Sequence, residues 1–196
     1  MDSQEKVQEK KGSALSGFID YIELFVVAIC VVIVLFSLAF RTCTVDGSSM
    51  NNILVNGETL VVSDMMYSPN RGDIIVFHHT DGTLSIQSNK PLVKRVIGVG
   101  GDTVRIDYNT WKVTVTDRHG EVRALDEDYI YLSDVPSAFY GVKEYKVPEG
   151  SLFVMGDNRN GSLDSRYPTI GFVDERSVLG KVLIRVTPIS KFGTVK

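Results

Sequence analysis

Hydrophobic and polar positions fall into two textures along this chain. Across residues 24–40 every position is apolar except Ser37, whose hydroxyl a helix can satisfy on its own backbone. That run has 17 residues, or 22 counted from Ile19. At 1.5 Å per residue it spans roughly 25 to 33 Å, which matches a bilayer core. Asp20 and Glu23 sit at its amino-terminal edge, where a helix dipole tolerates acids. Two other readings compete. Ser37-Leu38-Ala39 has the small-x-small pattern of a cleavable leader, but the apolar run is longer than such leaders use. A buried core helix ordinarily keeps a polar face, and this segment has none. The expected layout is an irregular polar tail at 1–18, a transmembrane helix at 19–40 and one domain at 41–196. Lys6, Lys10 and Lys11 precede the segment and only Arg41 follows at once, which puts the tail on the cytoplasmic side and the domain outside.

Past Arg41 the period shortens to that of strands. Residues 58–63 read as one short strand. Gly72-Asp73 opens the run 74–77, apolar throughout and so expected to be buried on both faces. Residues 93–99 form a β-branched run stopped by Gly100-Gly101, and 103–106 continue with alternation. Trp111, Val113 and Val115 alternate with Lys112, Thr114 and Thr116, as in a half-buried strand. A turn is expected at 117–120, and the last strands at 152–155 and 181–186. Residues 126–148 are aromatic and acidic with no clear period. The pattern predicts a mostly β fold of coiled antiparallel sheet behind one N-terminal helix, with no internal repeat.

Charge and chemistry narrow this further. A net charge of -3 over 196 residues gives no reason to expect nucleic acid as a partner. No glycine-rich phosphate loop occurs. His78, His79 and His119 have no Cys or Glu-x-x-His neighbours, so they read as polar strand-end residues, and neither metal nor cofactor is expected. Cys30 lies inside the apolar run and Cys43 just beyond it, too far apart along a helix-like segment to bridge. The fold must therefore rest on its own core.

Two stretches carry candidate chemistry. Gly47-Ser48-Ser49-Met50 places a hydroxyl just past the apolar segment, and glycine lets the backbone approach a substrate closely. A serine is a weak nucleophile until a base takes its proton. Lys94 lies in Leu92-Val93-Lys94-Arg95-Val96-Ile97, where alternation puts it with Leu92 and Val96 on the apolar side and Arg95 on the other. Burial favours the neutral amine, which is the form that acts as a base. Ser-Lys pairs are a recurrent form of activated serine. The plain alternatives are a Gly-Ser turn and an exposed strand lysine, and alternation fits the second poorly. A third stretch, residues 155–166, holds more polar residues than a connection needs. It is either a solvated hairpin loop or a polar shell around a buried lysine.

Taken in order, VDGSSM at 45–50, RGDIIVF at 71–77, VKRVIGVGGD at 93–102 and MGDNRNGSLDSR at 155–166 resemble the bacterial type I signal peptidases, or leader peptidases. IGFV at 170–173 and GKV at 180–182 are similar to the family's ending, and the single anchor is that of its Gram-positive-like form. The resemblance implies Ser49 as nucleophile and Lys94 as general base. It implies that the Ser162 hydroxyl orients that lysine, that Asp164 and Arg166 form an ionic pair bracing the site, and that Asp157 and Asn158 pack behind it. The Ser49 N–H would be one oxyanion donor. Some relatives carry a hydroxyl where this chain has Gly47, so a second donor would be backbone or water. The implied partners are secretory preproteins with small residues one and three places before the cut, together with the lipid bilayer.

The chain also departs from the family pattern. Asn51-Asn52-Ile53-Leu54 stands where the family usually reads x-Pro-Thr-Leu, and Gly100 stands where it often has proline. The first change removes a fixed φ and a hydroxyl beside the nucleophile, which bears on loop rigidity and substrate preference. Self-cleaving repressors share a Ser/Lys pair, but they are soluble and carry a DNA-binding module. The alternative of another class is an inactive membrane-anchored relative that binds peptides or helps assemble surface proteins.

Overall fold

The computed structural model describes residues 2–79 and 91–195, and for residues 2–18 and Leu38 the backbone alone. Helix α1 runs Asp2–Ala39. The expected irregular tail is thus corrected: the helix continues back through it, because Gln, Glu and Lys are good helix formers. Side chains of the three tail lysines lie outside the described ones. Within α1, Ile19–Ser37 has a mean hydropathy of 2.7 and only exposed side chains. Ser37 Oγ donates to Ile33 O at 2.7 Å, the backbone satisfaction that lets a serine sit in such a run.

The second unit, Arg41–Lys196, is built from two antiparallel sheets. The larger contains β1 (Arg41–Thr44), β2 (Thr59–Ser63), β3 (Ile74–Phe77), β4 (Leu92–Gly98), β9 (Ser151–Met155), β10 (Val173–Asp174), β11 (Val178–Thr187) and β12 (Gly193–Thr194). Its order is β1-β2-β11-β3-β4-β9-β10, with β12 on β11. The smaller contains β5 (Thr103–Asp107), β6 (Lys112–Thr116), β7 (Val122–Ala124) and β8 (Val142–Lys146), in the order β7-β6-β5-β8. The mostly β, antiparallel expectation holds. Register shifts interrupt β11 against both β2 and β3, and β4 against β9. Such bulges bend a strand and strengthen its twist.

The continuous apolar run of β3 is buried at every position because both sheet faces are covered. Ile74 and Val76 pack with Val45, Met50, Leu60 and Val93 on one face. Ile75 and Phe77 pack with Val96, Leu152 and Val154 on the other. In the register, Ile75 pairs Lys94 and Ile74 pairs Arg95. The small sheet buries Val104, Ile106, Val113 and Val115 against Ile97, Phe153 and Met155. The turn expected at 117–120 forms, with Gly120 N donating to Asp117 O. Strands β7 and β8 arise where no period is visible: their side chains are almost all exposed, so neither carries an apolar face to read.

Candidate active site

The Ser49 turn is held from both sides by apolar burial. Val45, Met50 and Leu54 are core residues flanking it. Inside the turn, Asn51 N donates to Ser48 O at 3.1 Å and Leu54 N to Met50 O at 2.9 Å. Gly47 has φ near 105°, a left-handed conformation that glycine adopts without steric cost. Its N–H donates to Asn56 Oδ1 at 2.8 Å, so it is engaged there rather than turned to an oxyanion. Ser49 itself is half-buried, its hydroxyl at the floor of a cavity of about 50 Å³ lined by Thr44, Val45, Asp46, Leu92 and Lys94 among others. A larger groove of about 680 Å³ shares Thr44, Val45, Asp46, Pro91 and Leu92.

Strand β4 delivers Lys94 to this floor. Its Nζ lies 2.7 Å from Ser49 Oγ and 3.0 Å from Val93 O. The residue is only 3% exposed. Desolvation outweighs the upward pull of Asp164 and Asp157, while Arg166 adds to the downward push, and the amine falls from 10.5 to about 8. A hydroxyl and a partly neutral amine in direct contact can pass a proton between them. The expected faces hold, with Leu92 and Val96 in the cluster that contains Ile75. Arg95, on the other face, is also buried. Its guanidinium grips Asp157 through Nε at 2.8 Å and Nη2 at 2.7 Å, and Nη1 donates to Gly72 O.

The polar stretch after β9 closes behind Ser49. Asn158 N donates to Ser49 O at 3.0 Å, and Asn158 Nδ2 donates to Ser48 O at 3.1 Å. Asp164 and Arg166 form a fully buried two-pronged ion pair at 2.7 and 2.8 Å. Asp164 Oδ2 also accepts from Gly156 N at 2.9 Å, which ties the pair to the turn beneath Ser49. Asp157, Asn158, Asp164 and Arg166 therefore stand around the Ser49–Lys94 contact.

Ser162 requires a correction. Its hydroxyl is buried beside the site but has no hydrogen-bond partner among the described residues, and Lys94 Nζ meets Ser49 and the Val93 carbonyl. Ser162 lies on Gly156, so close that a Cβ there would stand 2.2 Å from its Oγ. The same imagined Cβ would stand 2.4 Å from Ser49 O, so glycine at 156 is a condition for this approach. Sequence reasoning did not single out Gly156, nor Glu127, whose carboxylate is the ion-pair partner of buried Arg159. The density of polar residues at 155–166 was a usable signal for the first. Glu127 lies in the stretch without period and gave none. His78 and His79 follow the end of β3, and among the described residues no group of metal-ligating side chains occurs.

Residues 18–187 match the family described as Signal peptidase, peptidase S26. A signal peptidase I of Bacillus caldolyticus is 34% identical over 201 residues, which cover 96% of this chain and 97% of that protein. Signal peptidase IB of Staphylococcus aureus strain N315 is 34% identical, covering 76% of this chain and 78% of its own length. A probable signal peptidase I-2 of Synechocystis is 35% identical over 76% of this chain, and the chain spans 64% of that protein. A crystal structure of a signal peptidase I from Enterococcus faecalis V583 aligns with a TM-score of 0.42 at 30% identity, over 59% of this chain and 97% of that one. With a family match that runs from within the apolar helix to the end of β11, the chain belongs to the signal peptidases of the S26 peptidase family.

Proposed function

We propose that this protein is a membrane-anchored signal peptidase I that removes signal peptides from secretory preproteins with Ser49 as nucleophile and Lys94 as general base. The observation that carries the reading is the 2.7 Å contact between Lys94 Nζ and Ser49 Oγ, with the amine buried and its pKa brought down to about 8. Neutral Lys94 takes the Ser49 proton as Oγ attacks the scissile carbonyl. The Ser49 N–H would be one donor to the developing oxyanion. The resulting ammonium gives its proton to the leaving amine, and an acyl-enzyme forms. Lys94, neutral again, takes a proton from water, whose oxygen attacks the ester. Ser49 recovers its proton and the carboxylate product departs.

Substrate selection follows from the space beside the dyad. A cavity of about 50 Å³ next to Ser49 suits a side chain no larger than that of alanine or serine. An extended substrate would place alternate side chains toward this cavity and the adjoining groove, which gives a small-x-small preference. The apolar helix supports anchoring, and the lysines before it support a cytoplasmic amino terminus with the catalytic unit outside. Confining enzyme and preprotein to one membrane face raises their effective concentration.

The deciding assay incubates the detergent-solubilised chain with a small-x-small peptide and reads products by mass spectrometry. Cleavage after the second small residue is expected, and Ser49→Ala or Lys94→Ala should abolish it while the protein still folds. Binding without products by the unaltered chain would favour the inactive peptide-binding relative. Because only the neutral amine is active, kcat/KM should climb about tenfold per pH unit toward 8 and level off above it. A rate independent of pH across that range would rule out a lysine base.

A further inference from the structure

The segment 127–135 belongs to no strand, yet it binds the turn behind the nucleophile at successive points. Glu127 takes Arg159 through both terminal nitrogens, Nη1 at 3.1 Å and Nη2 more closely, and also accepts from the Tyr129 hydroxyl at 2.8 Å. The Arg159 side chain is 0% exposed and that of Glu127 5%. Arg159 Nε turns back to Gly156 O at 3.2 Å. Tyr131 N donates to Asp157 O at 2.8 Å and Arg159 N to Tyr131 O at 2.9 Å, a parallel bridge across Asn158. Asn160 finishes the seam: Oδ1 accepts from Ser133 N at 2.7 Å and from Ser133 Oγ at 3.1 Å, and Nδ2 donates to the carbonyls of Ser133 and Val135. The Tyr129 ring also lies 3.9 Å from the Arg95 guanidinium and 5.9 Å from that of Arg159.

The residue fixed at the centre of this seam is Asn158, and Asn158 makes the two bonds to the carbonyls of Ser48 and Ser49. We propose that residues 127–135 act as a latch on the catalytic turn, with Glu127 a positioning residue that works through Arg159 to fix the Ser49 backbone. Glu127 touches neither reacting group. A buried guanidinium that loses its carboxylate must find another partner or move, and the turn it caps moves with it. The peptide that presents the nucleophile and its N–H would then sit off line, which costs rate at the chemical step rather than affinity for substrate. The charged groups acting on Lys94 are Asp164, Asp157 and Arg166, and Glu127 is not among them, so the latch reaches the lysine's titration only indirectly, through Asp157.

The inference rests on the Ser49/Lys94 reading and is tested separately from it. Full-length protein in detergent is compared with Glu127→Gln and Asn160→Ala, counting working sites by stoichiometric acylation with a serine-directed inhibitor. Glu127→Gln should lower kcat per titrated site about tenfold or more, and Asn160→Ala about threefold, with KM and the pH midpoint unmoved. Wild-type kcat per titrated site in both variants, with only the number of sites reduced, would reduce the latch to packing and overturn the proposal. So would a displaced pH midpoint, since that places the effect on Lys94. If Glu127→Gln gives no titratable enzyme, Asn160→Ala decides by the same readouts. Failure of the unaltered chain to acylate at all would bring down the dyad, and the latch with it.

Discussion

The small sheet and the neighbourhood of Lys94 are buried to the same depth with opposite contents. In the small sheet Val104, Ile106 and Val113 are fully buried and Val115 nearly so. Every one of them gains by leaving water. Around Lys94, apolar Ile75, Val93 and Val96 share burial with Arg95, Asp157, Arg159, Asp164 and Arg166, and these charged side chains gain nothing by burial alone. Each of these is matched: Arg95 with Asp157, Arg159 with Glu127, Arg166 with Asp164. Lys94 differs, since no carboxylate lies within ion-pair distance of it among the described residues. Matched buried charges roughly break even against an apolar core, whereas a single buried amine is a standing cost. One region holds the domain together, and the other carries the cost of a buried amine, as the proposed base requires.

Replacing Lys94 by Met should break that contrast most completely. The side chain keeps its length and loses its amine. Processing should disappear, and the protein should become more stable. Holding an amine at about 8 instead of 10.5 removes roughly 3 kcal/mol from the folded state at neutral pH. The unfolded chain binds that proton more tightly, so the cost is fully present below about 8 and fades as pH rises toward 10.5. Denaturant melts at pH 7 and pH 10 should therefore show Lys94→Met ahead by a few kcal/mol at the first and nearly level at the second. A variant less stable than wild type at pH 7 would mean that the amine is not a burden.

Gly156→Ala sharpens the comparison on the kinetic side. A methyl group there would overlap both Ser162 Oγ and Ser49 O, and backbone cannot yield as a flexible side chain can. If Ser49 is displaced by about 1 Å, its proposed role as nucleophile implies a loss of about a hundredfold in rate. The expected result is a kcat lower by about that factor with a fold that melts close to wild type. Unchanged kcat would show that the turn is less tightly specified than its contacts suggest.

How much of this was legible in the sequence differs between the two regions for the same reason. Period carries information only where one face is apolar. The alternation of Trp111, Val113 and Val115 announced β6, and the run at 74–77 announced a strand covered on both sides, because burial wrote those patterns. Strands β7 and β8 expose nearly all their side chains and left no trace. At the site, Lys94 was readable because a lysine between apolar neighbours contradicts its surroundings. Asp157, Asn158, Asp164 and Arg166 were found through resemblance, since their partners are fixed by folding and not by spacing along the chain. The Ser162 bond was expected on the same ground and is replaced by the Val93 carbonyl. The Glu127–Arg159 pair joins residues 32 apart, and no local pattern could have matched them.

The mildest perturbation tests the other side of the contrast. Val104 is fully buried and stands over Gly98, where an added Cβ would lie 2.6 Å from its Cγ2. Its branched side chain fills the space that glycine leaves between the end of β4 and the start of β5. Val104→Ala removes two methyl groups from a closed site, which costs about 2 kcal/mol in lost transfer and residual cavity. Because the groups removed carry no charge and touch none of the paired residues around Lys94, kcat per working enzyme and the pH midpoint should both stay at their wild-type values. Chemical melts and a pH–rate profile on the same preparation would check this together. A loss of stability with unaltered chemistry is what two separate cores require. A shifted midpoint would show instead that the apolar sheet helps to set the basicity of Lys94, and that the two regions are one device.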